Sequence, residues 1–228
     1  LYKVTPWMTP YFGVSRSYLA NFNSENTAFS IGPPESALQY ELGVKWAFDD
    51  GRYVLNTALF DVKRDHVATP FGDDQIAFDA QRTRGAEVSL DADLTPNWHL
   101  YANFTAEHAR ITDSQDTPGA VGTAPQGVPA YMANLWTTYR FSLFGRAGFH
   151  VGAGINYVSR MTNGFANGYD WAPASLIENL QFGYAEQHWG VDLNINNVSD
   201  QRYFTATNVV GAYVGPPLAA YVTVHADF

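Results

Sequence analysis

Apolar and polar residues alternate with a period of two along most of the chain. Between positions 85 and 94, Ala86, Val88, Leu90, Ala92 and Leu94 fall on one side, and Glu87, Ser89, Asp91 and Asp93 on the other. Trp98, Leu100, Ala102, Phe104 and Ala106 likewise oppose His99, Tyr101, Asn103, Thr105 and Glu107. The pattern recurs in Tyr40, Leu42, Val44, Trp46 and Phe48, and again in Trp189, Val191, Leu193 and Ile195. Successive side chains of a strand point to opposite faces, so each run predicts a β-strand with one apolar face. About ten such strands are expected, centred near Gly13, Val44, Ala58, Val88, Ala102, Leu135, Gly154, Gln181, Leu193 and Val224.

A soluble sandwich shows the same alternation, with the apolar set turned to a core. The links between strands separate the two architectures. Short links at 49–51, 95–97, 142–146 and 186–188 alternate with long polar links at 18–35, 68–75, 112–128, 162–173 and 207–217. A membrane barrel produces this alternation, with tight turns at one membrane face and long loops at the other. Several expected strands reach 12 or more residues, beyond the usual five or six or so. The last run alternates through Ala220, Val222, Val224 and Ala226 to a terminal Phe228, an ending common in outer-membrane proteins. The reading is an all-β, antiparallel transmembrane barrel.

Composition narrows the function. Aromatics and charged residues are each 15% of the 228 residues, against about 25% charged in an average soluble domain. With 14 Tyr, 15 Phe and 6 Trp, the chain can supply the aromatic girdles of a barrel. No run approaches the roughly 18–20 apolar residues of a membrane helix. The net charge of −9 argues against a nucleic-acid partner. There are no cysteines, hence no disulfides or thiolate metal sites.

The six histidines, His66, His99, His108, His150, His188 and His225, are scattered, and none sits in a nucleophile box. His99, His150 and His225 read as polar wall residues, and His188 as part of a short turn. No metal-binding spacing is present, and Asp73, Asp74, Asp113 and Asp116 read as solvated loop carboxylates. Neither a catalytic residue, nor a metal, nor a cofactor is expected.

Four stretches resemble TonB-dependent receptors of the siderophore-uptake type. Leu193-Asn194-Ile195-Asn196-Asn197-Val198-Ser199-Asp200-Gln201-Arg202-Tyr203 is similar to the family's box near its last hairpin, with Val198 and Ser199 where Leu and Phe are usual. Pro34-Glu35 with Tyr40-Glu41-Leu42-Gly43-Val44-Lys45 resembles a second box, and Arg84-Gly85-Ala86-Glu87 a third. Val128-Pro129-Ala130-Tyr131 with Asn134-Leu135-Trp136 resembles a fourth.

The boxes stand in family order and cover nearly the whole chain. The resemblance implies that residues 1–228 are the C-terminal part of the barrel domain, ten strands of a 22-strand barrel. The plug and the other strands would come from elsewhere in the same or another chain. Leu1 reads as lying inside a strand, so an N-terminal portion is expected to be missing.

The implied function is an outer-membrane receptor that imports a ferric siderophore. Energy would come from the TonB complex acting through the plug, and the outer wall would meet lipid and lipopolysaccharide. A receptor for cobalamin or an oligosaccharide, or a passive pore, stays open at this point. Loop aromatics suit the partly apolar shell of a ferric siderophore. Phe165, Tyr169 and Trp171 stand on one long link and Tyr213 on another, with Phe22, Phe29 and Phe71 further candidates. Arg16, Arg160 or Arg110 could pair with an anionic chelate.

Overall fold

The computed structural model describes residues 4–25, 28–71, 75–114, 117–162, 171–208 and 211–226. In chain order its strands are β1 (Met8–Leu19), β2 (Phe22–Glu25), β3 (Ala28–Ile31), β4 (Glu35–Phe48), β5 (Tyr53–Phe71) and β6 (Gln75–Thr95). Next come β7 (Trp98–Ser114), β8 (Tyr131–Leu143), β9 (Arg146–Val158), β10 (Met161–Thr162) and β11 (Trp171–Ala172). The chain closes with β12 (Ser175–Ala185), β13 (Trp189–Asn196), β14 (Phe204–Asn208), β15 (Gly211–Val214) and β16 (Ala219–Ala226).

Ten of these form one antiparallel sheet in the order β1-β4-β5-β6-β7-β8-β9-β12-β13-β16. Every strand expected from the alternation is in it, and each neighbour in the sheet follows the last in the chain. No helix is long and apolar enough to cross a membrane among the described residues. β1 and β16 are the sheet's edges. In lipid, unpaired backbone groups are costly, so both edges must be paired for the wall to close.

The long links differ from the expected open loops. Three carry small hairpins of their own, β2–β3, β10–β11 and β14–β15. In the fourth, the β5–β6 ladder continues past a bulge between Arg64 and Val67 and pairs residues 67–71 with 75–79. Residues 68–71, read from sequence as loop, are therefore strand. The bulge residue His66 has φ 59°, and its carbonyl accepts a hydrogen bond from Asn21 at 2.8 Å. Between β7 and β8, the chain folds back on the end of β7, where Gly122 donates to Ile111 at 2.8 Å and Ile111 to Thr123 at 3.0 Å. Most of the buried residues, including Val67, Asp79, Ile111, Ala120, Met161, Ile177 and Asn197, lie at this end of the wall under the links.

Register divides the wall into two faces, because directly paired residues on antiparallel strands point the same way. Leu42 pairs with Leu59, Leu59 with Ala86 and Ala86 with Ala106. Ala102 pairs with Leu135 and Leu135 with Ile155, while Phe182 pairs with Leu193 and Leu193 with Val222. Phe12 of β1 joins them by pairing with Leu42, so the middle band of this face is apolar from strand to strand.

At its short-turn end, Trp7, Trp46 and Phe48 stack at centroid distances of 5.8–6.3 Å. Trp98, Tyr139, Phe141, Phe149, Tyr184 and Trp189 continue the row, with neighbouring centroids 4.7–6.5 Å apart. Nearer the loops, Phe104 stacks on Tyr131 at 6.3 Å. An apolar band between two aromatic belts is the outer surface of a membrane barrel.

The opposite face is polar, and on it large rings sit directly across from glycines. Tyr11 pairs with Gly43, Phe60 with Gly85, Trp136 with Gly154, His150 with Gly183 and His225 with Gly190. A Cβ at any of these glycines would lie 2.2–2.4 Å from an atom of the ring or a neighbouring side chain. The absent side chains let the rings lie flat on the wall, which leaves the lumen open.

Candidate functional site

A cleft of about 740 Å³ opens on the polar face at the long-link end. Its floor comes from β8, β9, β12, β13 and β16 through Trp136, Asn156, Asn179, Asn194, Asn196 and Tyr221. Its rim comes from the links, through Gly127 and Pro129, Met161, Tyr203 to Thr205, and Pro216 with Pro217. Among the described residues, no charged side chain lines it.

A directed row of amides runs along the lumen face and onto the floor, where Asn156 and Asn179 line the cleft. Asn134 donates to Asn103 at 2.9 Å, Asn156 to Asn134 at 2.5 Å, and Asn179 to Asn156 at 2.9 Å. The row ends where the backbone N–H of Asn197 donates to Asn179 Oδ1 at 3.2 Å. Each carboxamide has two N–H donors and a carbonyl oxygen with two lone pairs. Within the row, Asn134, Asn156 and Asn179 each use one donor and one lone pair, leaving the others for a ligand or water. Bonds aligned in series also polarise one another. Trp136 lies flat over Gly152 and Gly154 and donates from Nε1 to Thr138 at 3.0 Å. The cleft therefore offers fixed amide donors and acceptors beside aromatic faces, suited to a neutral-to-anionic ligand with a partly apolar shell.

The rim is held by the box resembling the family's last-hairpin motif. Asn197 is 2% exposed. Its amide donates to the carbonyls of Gln201 at 2.9 Å and Pro216 at 3.1 Å, and its Oδ1 accepts from the Gln201 N–H at 2.9 Å. Asp200 accepts from the Leu218 N–H at 2.9 Å. Both residues are left-handed, with φ 52° and 49°, a conformation that Asn and Asp tolerate well.

The residues singled out from sequence fall in different places. Phe165 and Tyr169 lie outside the described residues. Trp171 is in β11, where it pairs with Thr162. Tyr213 is in β15 and 61% exposed. Arg160 is exposed, next to the cleft residue Met161. Arg16 stands on the other side of the wall, on the face of Phe12 and Val14, with its guanidinium 5.2 Å over the Tyr18 ring.

Of the histidines, His150 faces the lumen and bonds Asp192 at 2.7 Å, and His99 bonds Asp93 at 3.0 Å. Among the described residues there is no group of three or more metal-ligating side chains. Sequence reasoning did not find Trp136 or the amide row as site residues. Each asparagine was visible only as one polar position of an alternating run, and only the register brings them together.

An apolar belt outside, a polar lumen face and alternating short and long links define a bacterial outer-membrane β-barrel. The family model for the TonB dependent receptor-like β-barrel matches residues 1–198. The chain belongs to this family. It is 30% identical over 97% of its length to the ferric-pyoverdine 358 receptor of Pseudomonas putida, of which it spans 29%. With the probable TonB-dependent siderophore receptor PiuA of Acinetobacter baumannii it shares 27% identity over 85% of its length, spanning 27% of that protein. The solved structure of PiuA superposes with a TM-score of 0.78 at 25% identity, covering 98% of this chain and 34% of that one. The ferric-catecholate import receptor Fiu of Escherichia coli K12 gives 0.77 at 24% identity, covering 100% and 34%. The chain thus spans 27–29% of the two curated relatives and 34% of the two solved chains.

Proposed function

We propose that the intact protein is an outer-membrane receptor that binds a ferric siderophore and imports it with energy from the TonB complex, delivered through a plug domain. All of residues 1–228 belong to the barrel domain in this reading. One observation carries it: a neutral, amide- and aromatic-lined lumen cleft under the long links of a barrel whose relatives are named as ferric siderophore receptors. Phe165, Tyr169, Trp171 and Tyr213 are proposed as aromatic ligand contacts, and Arg160 as the cation that meets an anionic chelate. Arg16 has no part in the cleft, because its strand turns it outward. The protein performs no covalent chemistry. Its work is differential binding, in which the ligand stabilises one arrangement of links and plug over another. The outer wall contacts lipid and lipopolysaccharide.

The test is a tryptophan-fluorescence titration of the detergent-purified intact receptor with ferric catecholate, ferric hydroxamate, ferric pyoverdine, cobalamin and maltodextrin. Saturable quenching by a ferric siderophore at nanomolar to micromolar concentration supports the reading. Saturation by cobalamin or maltodextrin alone replaces iron with that ligand, and silence towards all five contradicts a receptor.

A further inference from the structure

The cleft lies in a negative field. At its end of the wall, the links between wall strands span 20–34, 72–74, 115–130, 159–174 and 197–218. Their sequence carries six carboxylates, Glu25, Asp73, Asp74, Asp116, Asp170 and Asp200, against two cations, Arg160 and Arg202. Register shows where the charges of the strands point. Arg16, Lys63, Arg82 and Arg110 share one row with Leu38 on the outer face, so none meets the cleft. On the lumen face, Glu35 accepts from Arg64 at 2.8 Å, which cancels both charges. Lys45 stands 5.7 Å from the Tyr11 ring, and Arg140 is on the row of His150 at the short-turn end. Glu41, Glu87, Glu107, Asp91, Asp93 and Asp192 share that face and outnumber them.

The amide row carries the same sign into the cleft. Each asparagine donates towards the strand before it, from Asn179 through Asn156 and Asn134 to Asn103. Asn103 lines a smaller hollow of about 280 Å³ together with Glu87, Tyr11 and Tyr101. The positive end of the row therefore points to the hollow that holds Glu87, and the carbonyl end lies in the cleft. The dipoles run against an anion in the cleft and in favour of groups that can donate.

Charge separates two chemistries that hold ferric iron. Three hydroxamates bring one negative charge each and leave a neutral complex, whereas three catecholates bring two each and leave a trianion. A buried ion without countercharge is costly, and a field of its own sign slows its approach. We infer that the cleft selects by charge, taking a ferric trihydroxamate with at most one peripheral anionic group, which Arg160 meets, and rejecting a ferric tricatecholate. The amide links of such a chelate match the spare N–H donors and lone pairs of Asn156 and Asn179. Its methylene linkers match Trp136, Met161 and Pro216 in the same cleft. The inference rests on the receptor reading above and names the ligand class within it.

The test is equilibrium titration of the intact purified receptor with two probes. One is the ferric complex of N-acetylated desferrioxamine B, which is neutral, and the other is a ferric tricatecholate. The hydroxamate should bind about a hundredfold more tightly at about 0.05 M salt, and the gap should shrink severalfold at about 0.5 M, where repulsion is screened. Asn194→Arg adds a cation to the cleft floor and should shift the ratio of the two affinities about tenfold towards the tricatecholate. Should that variant fold poorly, the salt series on the unaltered receptor decides alone. Equal or tighter binding of the tricatecholate overturns the inference and leaves the receptor reading standing. Saturation by another ferric siderophore but by neither probe does the same, as does a ratio that salt leaves unmoved. Silence towards every ferric siderophore overturns both.

Discussion

Asn197 donates its side-chain amide to the carbonyl of Pro216, 3.1 Å away, and so ties the start of the last long link to its end. The same side chain closes a second loop with Gln201, and its backbone N–H ends the amide row on the cleft floor. One buried residue thereby fixes both the rim and the floor of the site.

Replacing it should show this. Asn197→Ala orphans two carbonyls and one N–H and puts a non-glycine residue without a polar side chain at φ 52°. The cost should be about 2–3 kcal/mol, read as a lower midpoint in the heat-dependent gel shift of the intact receptor. Asn197→Gly restores the backbone freedom but not the bonds, and should fall between the two.

The assignment of faces is tested by charge. Leu193 is on the outer face and Asn194 on the lumen face of β13. Leu193→Arg should destabilise the barrel by about 2–4 kcal/mol, the penalty for a cation near the bilayer midplane. Asn194→Arg should leave assembly intact, as measured by folded yield in lipid vesicles. The reverse order would turn the wall inside out.

The ring-and-glycine pairs make a prediction about coupling. A Cβ at Gly43 would lie 2.4 Å from the Tyr11 ring, whose hydroxyl donates to Glu41 at 2.6 Å. Gly43→Ala should therefore cost about 1–3 kcal/mol through overpacking. Most of that cost should vanish in a Tyr11→Ala background, because the two side chains compete for one space. Additive effects would show that the glycine serves some other need.

In the cleft, Trp136→Leu should weaken siderophore binding about tenfold, or roughly 1.4 kcal/mol, and remove most of the fluorescence quench. Asn156→Leu interrupts the row that joins Asn134 to Asn179 and should weaken binding further while sparing Trp quenching. Titration of both variants with the ferric siderophore checks this.

Much of the wall was legible in the sequence, because period-two alternation states both that a strand exists and which residues share its face. All ten wall strands lie where their alternating runs placed them. The β5–β6 extension was not legible, since the bulge at His66 breaks the alternation just before Pro70. The hairpins inside the long links have strands of only two to five residues, too short for an alternation to show. The cleft was hidden for a different reason. Asn103, Asn134, Asn156 and Asn179 come from four strands spread over 77 residues of chain, and only cross-strand register makes them neighbours. Arg16 carried a readable signal, for it shares parity with the apolar Phe12 and Val14, which places it outside the lumen.

The most direct measurement of the central claim is uptake of radioactive iron, supplied as the ferric siderophore that saturates the purified receptor. Cells lacking their other siderophore receptors would be compared with and without the intact protein, before and after collapse of the proton-motive force. The account predicts accumulation that requires the protein and stops on de-energisation, while binding at the surface persists. Uptake that continues without the proton-motive force would contradict it and identify a passive pore.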